Sequence, residues 1–284
     1  MPSERDLRRR VRSIKNIQQL TRAMQLVAAS KMRRAQEAVL ASRPFEEKLR
    51  SVLNDLAPYA DPELSPLLVH RPVKKVAVVL ITTDRGLVGP MNVNLLRATA
   101  RFVAERPDAT YIAVGRKGIG ALRRQRAPVL AEFPNVPDRP TTDDTNAIAR
   151  AAVDEFLSGG VDEVYLSFTK FVNTLRQEPT VRRLLPPEPE AEKAEEAAVQ
   201  YLFEPDPAEV MNRIIPRFIE VAVYQAVLES KASQFSAQMV AMRNATDAAG
   251  DLIGELTLAA NKARQTRITK EMLEIASGAE ALKG

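Results

Sequence analysis

Two hydrophobic periods alternate along the chain and divide it into three parts. From Ser3 onward, Leu7, Val11, Ile14, Ile17, Met24, Val27 and Ala28 recur at helical spacing, and the pattern continues to about Leu56. Ser3 and Asp6 read as a capping pair at its start. Pro44 falls inside the pattern and is expected to kink or break the helix, because proline has no N–H and crowds the preceding turn. Asp61-Pro62, Ser65-Pro66 and Arg71-Pro72 then mark a loop.

The middle part follows another grammar. Val76–Ile81 is a continuous apolar run, as expected of a strand buried on both faces. Asn92–Glu105 reads as a helix, Thr110–Val114 as a strand ending at Gly115, Ile119–Gln125 as a short helix and Val129–Phe133 as a third strand. Thr142 or Asp143 caps a helix that runs to Leu157 and stops at Gly159-Gly160. Val161–Phe171 is a strand with an extended tail, and Thr180–Leu185 can pair with it. Strands alternating with helices predict an open α/β sheet.

The third part is one long stripe. Positions 221, 225, 228, 232, 235, 239, 242, 246, 249, 253, 256, 260 and 263 alternate steps of four and three, with Gln225 and Thr246 as the polar exceptions. Asp206-Pro207 opens this helix, and a helix from about 207 to 277 would be roughly 100 Å long. A single helix cannot bury its own stripe. If the ends of the middle domain lie close together, the first and last helices run antiparallel as a coiled coil, and the longer last helix overhangs by roughly 15 residues. Between sheet and rod, 186–198 is rich in Pro and Glu and without bulky apolar residues, so it is expected to be a solvated loop or disordered.

Charge sharpens this picture. The chain of 284 residues has net charge +5, but residues 1–50 hold 13 Arg/Lys against 5 Asp/Glu, a net of +8, which leaves −3 for the rest. The basic end calls for an acidic partner. Arg5, Arg8, Arg9, Arg10, Arg12 and Lys15 form one cluster, Lys31, Arg33 and Arg34 a second, and Lys262, Arg264, Arg267 and Lys270 a third. They surround their helices and no aromatics interleave, unlike a base-stacking surface. With no Cys there is no disulfide, thiolate metal site or thiol switch. No apolar run reaches membrane-spanning length. Glu4 and Asp6 interrupt the basic N-terminus, which is expected to be mature protein rather than a transit peptide.

Candidate chemistry is sparse. Asp84-Arg85-Gly86-Leu87-Val88-Gly89 follows the first strand, where an α/β fold often holds phosphate, but neither G-x-G-x-x-G nor G-x-x-x-x-G-K-[ST] occurs. Gly86 and Gly89 are expected to serve a tight turn, as is Gly115-Arg116-Lys117-Gly118. His70 is the one histidine and has no ligand-spaced companions. No catalytic, cofactor or metal site is expected.

Several ordered stretches carry a resemblance. Arg9-Arg10-Val11-Arg12-Ser13-Ile14-Lys15-Asn16-Ile17-Gln18-Gln19-Leu20-Thr21-Arg22-Ala23-Met24 and Val27-Ala28-Ala29-Ser30-Lys31-Met32-Arg33-Arg34-Ala35-Gln36 open the chain. Tyr201-Leu202-Phe203-Glu204-Pro205-Asp206 leads into the last helix. Met239-Val240-Ala241-Met242-Arg243-Asn244-Ala245-Thr246-Asp247-Ala248-Ala249 and Asn261-Lys262-Ala263-Arg264-Gln265-Thr266-Arg267-Ile268-Thr269-Lys270-Glu271 lie within it. Together they resemble the gamma subunit of bacterial-type F-type ATP synthase over nearly the whole length. One departure is Val88, where that family usually has Cys, and the cysteines that give chloroplast members redox control are absent.

The resemblance implies a fold and a role. The fold is α/β plus a long antiparallel two-helix coiled coil, with a central open α/β (Rossmann-like) domain inserted between the N- and C-terminal helices. The expected parts are 1–57, with a kink near Pro44, 58–200 and 201–284. The role is the central-stalk rotor of a proton-translocating synthase. It couples rotation of the membrane c-ring to conformational changes at the catalytic beta subunits and has no catalytic site or cofactor of its own. Met24, Lys31, Arg33, Arg34, Arg264, Gln265, Thr269 and Glu271 would touch the alpha/beta hexamer, while Tyr201 and Glu204 would meet epsilon and the c-ring. The complex would sit at the cytoplasmic face of a bacterial membrane. Two other readings are a basic coiled-coil protein that binds nucleic acid and an α/β enzyme with helical arms and a ligand at Asp84–Pro90.

Overall fold

A computed structural model describes residues 3–56, 66–106, 108–187 and 207–281. Its elements are helix α1 (Glu4–Leu56), strand β1 (Val76–Ile81), helix α2 (Met91–Ala104), strand β2 (Ala109–Val114), helix α3 (Arg116–Gln125), strand β3 (Val129–Phe133), helix α4 (Thr142–Leu157), strands β4 (Glu163–Phe171) and β5 (Gln177–Leu185), and helix α5 (Pro207–Ala281). A short 3-10 turn, Pro66–Leu68, precedes β1. No helix among the described residues is long and apolar enough to cross a membrane. The chain forms two compact units, residues 28–238 and the combination of 1–27 with 239–284.

In unit 28–238 the sheet order is β3-β2-β1-β4-β5. The first four strands run parallel, and β5 closes one edge antiparallel to β4. Alternation along β1 separates two cores. Val78 and Leu80 face Leu95 of α2 and Ile119 and Leu122 of α3. Ala77, Val79 and Ile81 face Ile148, Ala152 and Phe156 of α4, together with Leu53 of α1 and Met211, Ile215, Phe218 and Val223 of α5. Every β1 residue is therefore buried, which explains why this strand shows no polar face in the sequence. The long helices serve as one layer of the α/β domain before they pair with each other. That pairing starts where Ala35 and Val39 meet Leu228, Ala232 and Phe235, over Phe171 at the end of β4.

Local chemistry sets the element ends. Ser3 caps α1: its hydroxyl donates to Asp6 at 2.8 Å and accepts the Asp6 amide at 3.3 Å. The α4 cap is Thr141, ahead of both expected positions, Thr142 and Asp143, because the Asp144 carboxylate accepts the Thr141 amide at 2.7 Å. Gly115 opens α3 at φ 87°, and a Cβ there would lie 2.2 Å from the Thr82 carbonyl oxygen. The Thr82 hydroxyl donates to the Val114 carbonyl at 2.9 Å and accepts the Gly118 amide at 2.7 Å, tying the end of β1 to the start of α3. The expected tight turn after β1 carries positive φ at Gly89 (56°) and Leu87 (64°), not at Gly86. Val88, beside it, is 3% exposed.

Both long helices contain proline without ending there: Pro44 lies inside the 53 residues of α1 and Pro216 inside the 75 of α5. Pro44 therefore does not break α1. It is exposed, so the carbonyl left without an N–H partner can be hydrated. In the unit of 1–27 with 239–284 the two helices run antiparallel, since Thr21 meets Thr246 while Glu4 meets Arg267.

Candidate functional site

The helical seams define which side chains remain for partners. All thirteen heptad positions of α5 from Val221 to Ala263 are buried or half-buried. On α1 the buried and half-buried positions run Leu7, Val11, Ile14, Gln18, Thr21, Gln25, Ala28, Met32, Ala35, Val39, again in steps of four and three. This seam differs from the stripe read from apolar residues alone. Ile17 and Val27 point outward, 51% and 55% exposed, while Gln18 and Thr21 point inward. The inward polar groups satisfy one another. The Thr21 and Thr246 hydroxyls lie 2.8 Å apart, and Gln18 donates to the Thr246 carbonyl at 3.4 Å. Gly250 leaves room for this layer, since a Cβ there would come within 3.1 Å of Gln18 Nε2.

The outward stripe of α1 consists of Ile17, Leu20, Met24 and Val27, at steps of three, four and three. Leu20 is 61% exposed and Met24 is half-buried. The cations Arg5, Arg8, Arg9, Arg10, Arg12 and Lys15 are exposed around the same helix. Arg8 pairs with Glu4 at 2.7 Å, and Arg9 with Asp6, whose pKa is lowered by hydrogen bonds from Ser3 and Arg9.

Beyond Ala263 every residue of α5 through Gly278 is exposed. Arg264, Gln265, Thr269 and Glu271 lie on these turns, so the structure brings four of the expected contact residues together on one helical segment. Their bonds are mostly within the helix. Thr269 donates to the Gln265 carbonyl at 3.0 Å, and Arg267 pairs with Glu271 at 2.8 Å and Glu4 at 3.3 Å. Between them Ile268, Met272 and Ile275, at steps of four and three, are 43%, 65% and 73% exposed. This apolar ridge was absent from the expected contact residues. The signal for it is present in the sequence, because the heptad seam stops at Ala263 while large apolar residues continue.

In unit 28–238, Lys31, Arg33 and Arg34 lie within one turn of α1. Arg33 is exposed and pairs with Glu37 at 3.6 Å. Lys31 and Arg34 line a cavity of about 690 Å³ with Asp138, Arg139, Leu228, Lys231 and Phe235. Lys31 reaches Asp138 at 2.6 Å and lies 5.7 Å from the Phe235 ring centroid. Burial opposes ionisation of Asp138, but the hydrogen bond and charge of Lys31, with Lys231 and Arg85 further off, hold its pKa below the carboxylate norm. Tyr201 and Glu204 lie outside the described residues.

The loop after β1 sits where an open α/β sheet reverses its strand order, the usual ligand crevice of such folds. Here the chain fills it. Asp84 Oδ1 accepts the amides of Arg116 (3.0 Å) and Asn135 (2.9 Å). Lys231 of α5 brings its Nζ to 4.0 Å from Asp84 Oδ2 and donates to the Val136 carbonyl at 2.7 Å. The Asp84 carboxylate thus takes the place an anion such as phosphate would occupy, held by backbone amides and a protein cation. A second charged cluster was not anticipated. Glu46 accepts from Arg50 and Arg182, each at 2.9 Å, and Arg43 reaches Glu229 at 3.3 Å. Burial pushes the Arg182 pKa down, against the charge of Glu46. No group of three His, Cys, Asp or Glu able to hold a metal occurs among the described residues.

Comparison with known proteins bears on these surfaces. A family model described as ATP synthase matches residues 3–282. An ATP synthase gamma chain of Dehalococcoides mccartyi is 48% identical over 285 residues, covering 99% of this chain and 100% of that one. One from Roseiflexus castenholzii is 49% identical, covering 99% of each. The central stalk/c-ring structure of Tetrahymena thermophila mitochondrial ATP synthase aligns at 25% identity with TM-score 0.63, covering 80% of this chain and 99% of that one. A chain from the mitochondrial ATP synthase of Euglena gracilis shares the fold at TM-score 0.74 and 20% identity, covering 98% of this chain and 94% of that chain. On the full-length identity to these relatives, this chain belongs to the ATP synthase gamma chain family.

Proposed function

We propose that this chain is the central-stalk rotor of a proton-translocating ATP synthase, coupling rotation of a membrane c-ring to conformational changes at catalytic beta subunits. The observation that carries the reading furthest is the end of α5. Residues 264–278 leave the seam, remain helical and expose an apolar ridge beside Arg264 and Gln265. An exposed ridge of this kind on an otherwise soluble helix fits insertion into another protein.

The contacts that complete the mechanism are the ones the resemblance to the gamma family implies. Arg264, Gln265, Thr269 and Glu271 meet the alpha/beta hexamer from α5, while Met24, Lys31, Arg33 and Arg34 meet it from α1. Tyr201 and Glu204 are the contacts with epsilon and the c-ring in this reading. A rotor needs contacts that form and release repeatedly. Exposed ion pairs serve, being worth about 0–1 kcal/mol, whereas a buried pair resists separation. The chemistry of ATP resides on the alpha and beta subunits, and this chain transmits work without a catalytic site of its own. The complex places it peripherally at the cytoplasmic face of a bacterial membrane.

The test is reconstitution with alpha, beta, epsilon and c-ring in vesicles. Changing Arg264 and Gln265 together to Ala should lower ATP-driven proton uptake by about tenfold or less while leaving assembly intact. Normal coupling by the doubly changed complex would remove these two residues from the contact, and failure of the wild-type chain to assemble would remove the rotor reading.

A further inference from the structure

Hydrophobic packing holds α5 and α1 against the sheet and sets which face of each is buried. Charged contacts at the sheet's rim add direction. Lys231 is 6% exposed, among the most buried cations of the molecule, and its amine is aimed at the Asp84 carboxylate and the Val136 carbonyl. Two residues further along the same loop, Asp138 takes Lys31 of α1 at 2.6 Å. Residues 136–138 therefore hold one cation from each long helix. Asp84 fixes the base of the socket, because its other oxygen is bonded to the amides of Arg116 and Asn135, which belong to α3 and the loop after β3.

We propose that Lys231, seated in the socket of Asp84, Val136 and Asp138, is the positioning residue that locks the α5 segment of unit 28–238 to the rim of the sheet and so carries torque between helix and sheet. The proposal rests on the rotor reading. It puts the crevice at the sheet's reversal point to mechanical use: where related topologies bind an anionic ligand, the Asp84 carboxylate stands here and faces a lysine of the chain itself. Burial lowers the Lys231 pKa, with Asp84 and Asp138 acting against that shift, as expected of a cation held away from water by acidic partners.

A grip of this kind matters under load. Complexes carrying the wild-type chain, Lys231→Met or Asp138→Asn are reconstituted in vesicles, and protons taken up per ATP hydrolysed are measured with and without an opposing proton gradient. The expected result is normal assembly and normal hydrolysis without load. Proton uptake per ATP should then fall by about twofold under load for Lys231→Met, and by less for Asp138→Asn. Wild-type uptake under load in both variants would overturn the proposal. A parallel fall of hydrolysis and uptake without load would also overturn it, because that is the mark of a merely structural role. Should Lys231→Met fail to assemble, Asp138→Asn decides, since the Asp138 side chain is 43% exposed and the change preserves its shape. Failure of the wild-type complex to pump would instead overturn the rotor reading beneath it.

Discussion

At the scale of single residues, the positions that admit least change are set by close approach rather than by chemistry. Gly115 combines φ 87° with a Thr82 carbonyl 2.2 Å from any added Cβ. Gly115→Ala should therefore lower stability by about 3 kcal/mol, read as a shifted urea midpoint of the full chain with an unchanged slope. The Thr21–Thr246 pair is a milder case. Two protons serve three contacts: one hydroxyl donates across to the other, which in turn donates within its own helix, Thr246 to the Met242 carbonyl at 2.8 Å or Thr21 to the Gln18 carbonyl at 3.0 Å. Thr21→Val and Thr246→Val should each cost about 1 kcal/mol and the double variant less than their sum, because replacing both partners removes the unpaired group. Additive losses in a double-mutant cycle would show that the two hydroxyls do not interact. The polar layer was visible in the sequence only as a flaw in the heptad. Its counterpart on α1 was hidden because Ile17 and Val27 offered a more apolar stripe than Gln18 and Thr21.

At the scale of elements, the ends of helices and strands were legible to within a few residues, since caps, glycines and hydrophobic period act locally. The cap of α4 was misplaced because Asp144 answers the Thr141 amide, a reciprocal bond that leaves Thr142 inside the helix. The large apolar residues at the exposed end of α5 have little packing of their own to lose. Changing Ile268, Met272 and Ile275 together to Ser should shift the chain's melting stability by less than about 1 kcal/mol. The same change should weaken association with an alpha/beta hexamer, measurable by co-purification. Undiminished association would assign the ridge no contact role. Both long helices carry an internal proline, so helix continuity here owes more to flanking packing than to intrinsic propensity, as helices in proteins commonly do.

At the scale of the whole molecule, charge links the fold to pH. Asp6, Asp138, Asp144 and Asp162 all have pKa values lowered from 3.8. For Asp162 the causes are hydrogen bonds from the Lys75 and Lys74 amides, and for Asp144 those from Thr141. A carboxylate with a depressed folded pKa binds fewer protons than the unfolded chain does as pH falls. The stability it contributes is present above its ordinary pKa and is lost as pH drops through the lowered value. The chain should therefore lose stability progressively below about pH 4, with Asp144→Asn showing a shallower decline than wild type in thermal melts across that range. Equal declines would exclude Asp144 as a source. The charged cluster of Glu46, Arg182, Arg50, Arg43 and Glu229 belongs to this scale too, because it joins α1, β5 and α5 inside one unit.

The sequence by itself determined the alternation of helices and strands, the long seam of α5, the point at which that seam ends, and the family. Each depends on residues near one another along the chain or on ordered stretches that can be matched directly. The tertiary structure alone decided which of two stripes on α1 faces its partner, that Lys231 occupies the sheet's crevice, and that Glu46 answers Arg182. The physical reason is degeneracy: dozens of cations and carboxylates could pair in one dimension, and only packing against a particular sheet rim brings a lysine of α5 to an aspartate that follows β1.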